Sequence, residues 1–300
     1  MDMHTKKIRD KASWWIDKHF GLLLILPCVI VLMGMVIGPL IYTFHLSFHS
    51  WFISAVTPPK WVGITNFARI PTDQGLIRSL RVTAYFTFIS LALQIGVGVG
   101  LAQLLNRDFE VRRIVRSILI LPLASTPVAI SLNWRLMLHP VLGIINYFLN
   151  VFGIKGQLWL THPDMVMFSI IMIDVWQWTP LIMLIVLAGM TSVDPGFYEA
   201  AIIDGASGLQ RFWHITLPLI RPAVIVASML RFMDSIKTFD MIYVTTQGGP
   251  GWASRILNLY VFEQGFRYFH MGYASSLVVF VTSLIMGTSL LMIRFRRSSL

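Results

Sequence analysis

Residues 194–222 read DPGFYEAAIIDGASGLQRFWHITLPLIRP, a polar island between two long apolar stretches. Asp194-Pro195 is a helix start: an N-cap acceptor is followed by proline at the first helical position, where no amide hydrogen is needed. The helix is expected to run through Tyr198, Glu199, Ala200, Ala201 and Ile202 to Asp204. Gly205 breaks it, because glycine takes a left-handed turn without steric cost. Ser207-Gly208-Leu209-Gln210 reads as a capping box opening a second short helix. Leu209, Phe212, Trp213 and Ile215 are bulky and apolar, and have to be buried somewhere. Leu217-Pro218 is expected to end the element and lead into the next apolar stretch. Two readings stay open here: an amphipathic hairpin lying on a membrane surface, or a knob that fits a cleft on a soluble partner.

The rest of the chain is apolar enough to be a polytopic membrane protein. Of 300 residues, 56% are hydrophobic and 13% charged, which excludes an ordinary soluble domain. The formal charge is +10, yet the basic residues collect beside apolar stretches. That is membrane topology rather than nucleic-acid binding. The single cysteine, Cys28, allows no disulfide within the chain and no Cys-x-x-Cys metal site. The N-terminal basic flank (Lys6, Lys7, Arg9, Lys11, Lys18) fits a secretory signal. The apolar run from Phe20 to Phe44 is too long for a signal core of roughly 7–15 residues, so it reads as a retained first membrane helix.

A membrane helix needs about 20 apolar residues. Six stretches qualify, at roughly 20–46, 82–105, 114–138, 165–190, 219–245 and 272–293. The expected fold is all-α, with six transmembrane helices. Pro27, Pro39, Pro122, Pro127, Pro180 and Pro222 lie in or at the ends of these spans. Interior prolines are tolerated where neighbouring helices satisfy the freed carbonyls, so they point to a packed bundle. Gly96, Gly98 and Gly100 on the second span invite close approach by another helix. Arg107, Arg112, Arg113 and Arg116 crowd the second connection, and Arg294, Arg296 and Arg297 close the chain. The third connection, 139–164, carries only Lys155. The positive-inside rule then puts both termini and the hairpin in the cytoplasm. The first connection (Lys60, Arg69, Arg78, Arg81) is a weak exception, tolerated because it is long. No inverted repeat is evident, unlike many secondary transporters.

The spacing Glu-Ala-Ala, three residues, Gly, nine residues, Ile-x-Leu-Pro resembles the EAA loop of permease subunits of bacterial ATP-binding-cassette importers. The surrounding stretch is similar to the carbohydrate branch, the relatives of the maltose and glycerol-3-phosphate permeases. "NWRLML" at 133–138, "GIIN" at 143–146 and "FDMIYVTTQGGP" at 239–250 extend the likeness over about residues 20–295. The resemblance implies a type I importer transmembrane domain: an N-terminal segment with the first helix and outer loop at 1–75, a core at 76–293 and a cytoplasmic tail at 294–300. The coupling loop would occupy about 192–218. The large outer domain of some maltose-type subunits is absent, because the first connection is too short for one. The implied mechanism is alternating access in the cytoplasmic membrane. The partners would be an ATPase dimer, an extracytoplasmic solute-binding protein and a second permease subunit, most readily a related but different chain. Glu199, Ala200, Ala201, Asp204 and Gly205 would form the coupling knob. The alanines would permit close approach to a cleft wall, and Glu199 would pair with a basic group there.

Hydrolysis of ATP requires a phosphate cradle of the GxxxxGK[ST] kind, and no glycine here is followed by lysine. ATP and Mg would therefore be handled by partner subunits, with no cofactor on this chain. HExxH, GxSxG and metal-spaced His/Cys clusters are also missing. His139, His162, His214 and His270 read as surface or interfacial groups rather than ligands.

Charges at bilayer depth cost about 2.5–3.5 kcal/mol on insertion scales and need a partner or a wet cavity. The fourth span carries Asp174, Trp176, Gln177 and Trp178, of which Asp174, Gln177 and Trp178 share a face. The fifth carries Arg231, Asp234, Lys237 and Thr238, then Asp240 and Tyr243. Arg231–Asp234 and Asp234–Lys237 are spaced to pair at i, i+3. Carboxylates and amides suit sugar hydroxyls, and aromatic faces suit sugar C–H surfaces. Asp174, Gln177, Trp178, Asp234, Lys237, Thr238, Asp240 and Tyr243 are the expected solute path, against the alternative that they pair within the bundle. The rival to an ATP-driven importer is an ion-coupled secondary transporter with Asp174 and Asp234 as relay groups. It explains the charges but not the hairpin.

Overall fold

A computed structural model describes residues 3–53 and 57–298. The basic side chains of the N-terminal flank and of Arg296 and Arg297 lie outside the described residues. The elements are α1 (Met3–Ser47), a two-stranded ribbon of β1 (His49–Ser50) and β2 (Lys60–Trp61), α2 (Thr65–Arg69), α3 (Gln74–Leu105), α4 (Arg112–Ala124), α5 (Pro127–Met137) and α6 (Ile144–Val151). They continue with α7 (Pro163–Thr191), α8 (Pro195–Ile203), α9 (Gly208–Arg211), α10 (Leu217–Ile236), α11 (Asp240–Thr245), α12 (Leu257–Phe262) and α13 (Met271–Ser298). Five helices are long and apolar enough to cross a membrane, or six if α4 and α5 count as one broken span.

That break corrects the straight third span expected at 114–138. α4 and α5 meet at 100°. The reason is Pro127: its ring disfavours helical geometry in the residue before it. Thr126 is extended accordingly and becomes the N-cap of α5, its hydroxyl accepting from the Ala129 amide at 3.4 Å. The second span starts earlier than the expected 82. Asp73 caps α3, accepting from the Gly75 and Leu76 amides at 2.9 and 3.2 Å. The fifth span does not run to 245. α10 stops at Ile236 and α11 begins at Asp240. Asn258 of α12 donates to the carbonyls of Ile236 and Thr238 at 3.0 and 3.3 Å, satisfying acceptors that the break frees.

α7 is the centre of the bundle, packed by α3 along its length and by α10 and α4. At the hairpin end the core is Val99, Leu105, Ile182, Met183, Val186, Leu187 and Ile220. Towards the other end it is Phe86, Ile130, Ile170, Ile173, Ile242 and Ile256. Of Gly96, Gly98 and Gly100 only Gly98 takes a close neighbour. A Cβ there would sit 2.9 Å from Ile182, whereas Gly96 and Gly100 face open space. Gly189 on α7 is tighter still, since its Cβ would lie 2.6 Å from that of Ala223 on α10. The apolar part of α1 is exposed and meets the rest of the chain mainly through α13.

At the end away from the hairpin, Asp73 ties three helices together. Tyr260 of α12 and Tyr273 of α13 both donate to its carboxylate, at 2.7 and 2.5 Å. Arg69 stacks over the Tyr273 ring at 4.4 Å. Burial pulls the Asp73 carboxyl upward, but the two phenols and two amides outweigh it and hold it below its ordinary value. Tyr260 is pushed up, first by burial and then by its bond to Asp73.

Candidate functional site

The hairpin between α7 and α10 is built by local hydrogen bonds. Asp194 accepts from the Gly196 amide at 2.9 Å, with Pro195 in the first turn of α8. α8 ends where the Gly205 amide reaches the Ile202 carbonyl at 3.0 Å and the Ala206 amide reaches that of Ala201 at 2.9 Å. Gly205 has φ +76, the left-handed geometry that glycine adopts freely. The capping box closes both ways: the Ser207 amide donates to Gln210 Oε1 at 2.7 Å, and the Gln210 amide to Ser207 Oγ at 3.3 Å. Tyr198 and Thr216 hydroxyls join the two limbs at 3.2 Å. Leu217-Pro218 does not end the element, as had been expected. A π-helical turn at Phe212–Thr216 carries the chain straight into α10, because Pro218 lies in that helix's first turn, where a missing amide hydrogen costs nothing.

The hairpin presents Glu199, Ala200, Ile202, Asp204 and Gly205 outward, and Ile203 is 86% exposed. Leu209 and Trp213 are also exposed in the single chain, whereas Phe212 packs onto the core. Of the two alanines expected to approach a cleft wall, Ala200 is exposed and Ala201 is buried. The exposed surface therefore mixes two carboxylates with apolar groups.

Deeper in the bundle three helices share a closed polar triad. Arg231 Nη2 of α10 meets Asp174 Oδ1 of α7 at 2.5 Å. Gln94 of α3 donates to Asp174 Oδ2 at 2.8 Å and accepts from Arg231 Nε at 2.9 Å. All three are buried, and Trp178 lies over the guanidinium at 4.9 Å. The expected i, i+3 pairs, Arg231–Asp234 and Asp234–Lys237, do not form among the described residues. A lone aspartate at the same depth is a stronger partner for Arg231 than an exposed one on its own helix. Asp174 and Gln177 line no surface of this chain, and the Gln177 side-chain oxygen has no hydrogen-bond partner. Further along α3, Thr87 accepts from Ser235 at 3.2 Å and Thr83 from the Leu257 amide at 2.8 Å. Gln94 was the residue to notice in the sequence, an amide at the middle of an apolar span. Asn258 left no such signal.

The break after α10 exposes the remaining polar candidates. Asp234, Lys237, Asp240 and Tyr243 are exposed, and Thr238 and Trp178 half-buried. Lys237 and Asn258 open onto a cavity of about 410 Å³ with Thr282 and an apolar floor from Val261, Val278 and Val281. Tyr243 stacks on Phe239, with ring centroids 5.2 Å apart.

The chain has counterparts among known proteins. Residues 94–298 match the family described as the binding-protein-dependent transport system inner membrane component. The chain belongs to this family of permeases. Its relatives include the trehalose/maltose transport system permease protein MalF of Thermococcus litoralis, 36% identical over 94% of this chain and 96% of that one. The sulfoquinovosyl glycerol transport system permease protein SmoG of Agrobacterium fabrum is 29% identical over 94% and 92%. In fold, this permease superposes on a chain of a bacterial ABC transporter involved in the import of the acidic polysaccharide alginate. The TM-score is 0.82 at 22% identity, covering 96% of this chain and 99% of that one.

Proposed function

We propose that this permease moves a sugar-like solute across the cytoplasmic membrane by alternating access, driven by ATP hydrolysed on separate subunits. The observation that carries the reading is the hairpin. It is rigidly capped, yet it exposes Ile202, Ile203, Leu209 and Trp213 beside Glu199 and Asp204. Apolar groups of that size on a polar rim mark a docking surface. Both termini and the hairpin face the cytoplasm, and the ATPase dimer binds there. The relatives named for trehalose/maltose and for sulfoquinovosyl glycerol support a solute with a sugar moiety. A solute-binding protein delivers it to the opposite face, and a second permease chain completes the pore.

The solute path is assigned to Asp234, Lys237, Thr238, Asp240 and Tyr243, with Trp178 at its margin. These groups cluster at the broken end of α10, where carboxylates, an ammonium and aromatic faces are all available to a polyhydroxylated solute. Asp174 and Gln177 are withdrawn from it, because both are buried. The pairing of Asp174 with Arg231 also takes up one of the two carboxylates, Asp174 and Asp234, on which an ion-coupled relay would depend. The decisive experiment reconstitutes the complex in vesicles. Uptake requiring ATP, the ATPase subunits and the loaded binding protein is expected. Uptake by this chain alone under an ion gradient would overturn the proposal.

A further inference from the structure

The geometry points to Gln94, Asp174 and Arg231 as positioning residues that make α3, α7 and α10 one rigid lever between the hairpin and the solute path. This rests on the reading of the hairpin as the ATPase docking site. α7 enters the hairpin and α10 leaves it, so a push on the hairpin acts on both helices. Asp174–Arg231 is the only ion pair joining them among the described residues. It lies about 25 Å along α7 from the hairpin, at 1.5 Å per residue.

The triad's closure supplies the rigidity. Each member bonds both others, and Gln94 Nε2 also reaches the Asp174 backbone carbonyl at 3.2 Å. Sliding any helix by one residue would strand at least two buried polar groups with no water to replace the lost bonds. Apolar residues of the same volume would hold the helices together about as well, but would let them slide. A buried ion pair is weak evidence for stability and better understood as a device that sets register. The neighbouring contacts fit a register function. The Gly189–Ala223 approach fixes the hairpin end of the same two helices, and Ser235–Thr87 fixes α10 on α3 one turn beyond Arg231. Asp234 and Lys237 follow Arg231 at three and six residues, and Trp178 follows Asp174 at four. Whatever displaces the hairpin therefore displaces the near end of the path, Asp234 and Lys237, where α10 ends.

The test is the number of solutes taken up per ATP hydrolysed by the assembled complex in proteoliposomes, for Gln94→Leu, Asp174→Asn and Arg231→Lys. The ATPase subunits are expected to remain bound in every variant, because the hairpin is untouched. Solutes per ATP should fall by at least about fivefold, the lower end of ordinary coupling between sites. ATP hydrolysis should lose its dependence on the loaded binding protein. A purely structural triad would lower the amount of complex and both rates together. An unchanged ratio in complexes that do assemble therefore overturns the proposal. Should Asp174→Asn fail to assemble, Gln94→Leu decides alone, since it leaves the ion pair intact. Loss of ATPase attachment in these variants would also count against the lever, whereas the same loss confined to hairpin variants would leave it standing.

Discussion

Replacing Gly205 by alanine isolates one physical term at the docking hairpin. Gly205 sits at φ +76, and a Cβ built there meets nothing within 4 Å. The methyl group makes no clash and removes no contact. What it adds is backbone strain, roughly 1–2 kcal/mol for a non-glycine residue in the left-handed region. Set against the folded hairpin alone, that shifts its population about 5- to 30-fold. The affinity of the ATPase subunits for the permease should weaken by up to that factor, because only the folded hairpin binds. Gly205→Asn is the control, because asparagine tolerates this geometry better than alanine. Binding of purified ATPase subunits to the detergent-solubilised permease, titrated for the three proteins, should rank Gly above Asn above Ala. Uptake should follow the same order at limiting ATPase concentration. Equal affinities for all three would refute the claim that this turn shapes the docking surface.

Gly189→Val should force α7 from α10, where even a Cβ would lie 2.6 Å from Ala223. An overpacking cost of about 1–3 kcal/mol would appear as a lower melting temperature of the purified complex, while Gly100→Val, in open space, leaves it unchanged. Asp73→Ala should loosen the end away from the hairpin by about 0.5–2 kcal/mol, the usual worth of a helix cap. The Asp73 carboxyl is held below its ordinary value, so its stabilisation is complete above the ordinary carboxylate range of about 3.9 and disappears as pH falls through the lower, folded value. Thermal unfolding of the two proteins should therefore differ at pH 7 and converge in acid. Asp234→Ala and Lys237→Ala should each impair uptake in complexes that still assemble and hydrolyse ATP. Normal transport by both would remove the break after α10 from the solute path.

The hairpin was legible because capping chemistry is local. Asp194-Pro195, Gly205 and the Ser207/Gln210 pair need only their own neighbours to act. The register of the spans was legible from hydropathy, but their true ends were not. Arg78 and Arg81 hide the first turns of α3 from any hydropathy reading, although helix geometry tolerates them. Pro127 was visible, yet whether a membrane proline bends a helix or breaks it by 100° depends on what packs around it. The partner of Arg231 was out of reach for a related reason. Asp234 is near in sequence, but Asp174, 57 residues away, is near in space, and only the packing of α7 on α10 chooses between them. The role of Asn258 depends on the same packing.

The central claim is that force enters through the hairpin, and a cross-link tests it most directly. Cys28 is the sole cysteine, so a Cys28→Ser background carries Ala200→Cys or Ile203→Cys cleanly, with exposed Val141→Cys as the control remote from the hairpin in sequence. In an actively transporting complex, a short thiol-directed linker should join the two hairpin positions to the ATPase subunit, and the yield should change when ATP is bound. The control position should give no such product. A transporting complex in which neither hairpin position reaches the ATPase would contradict the account.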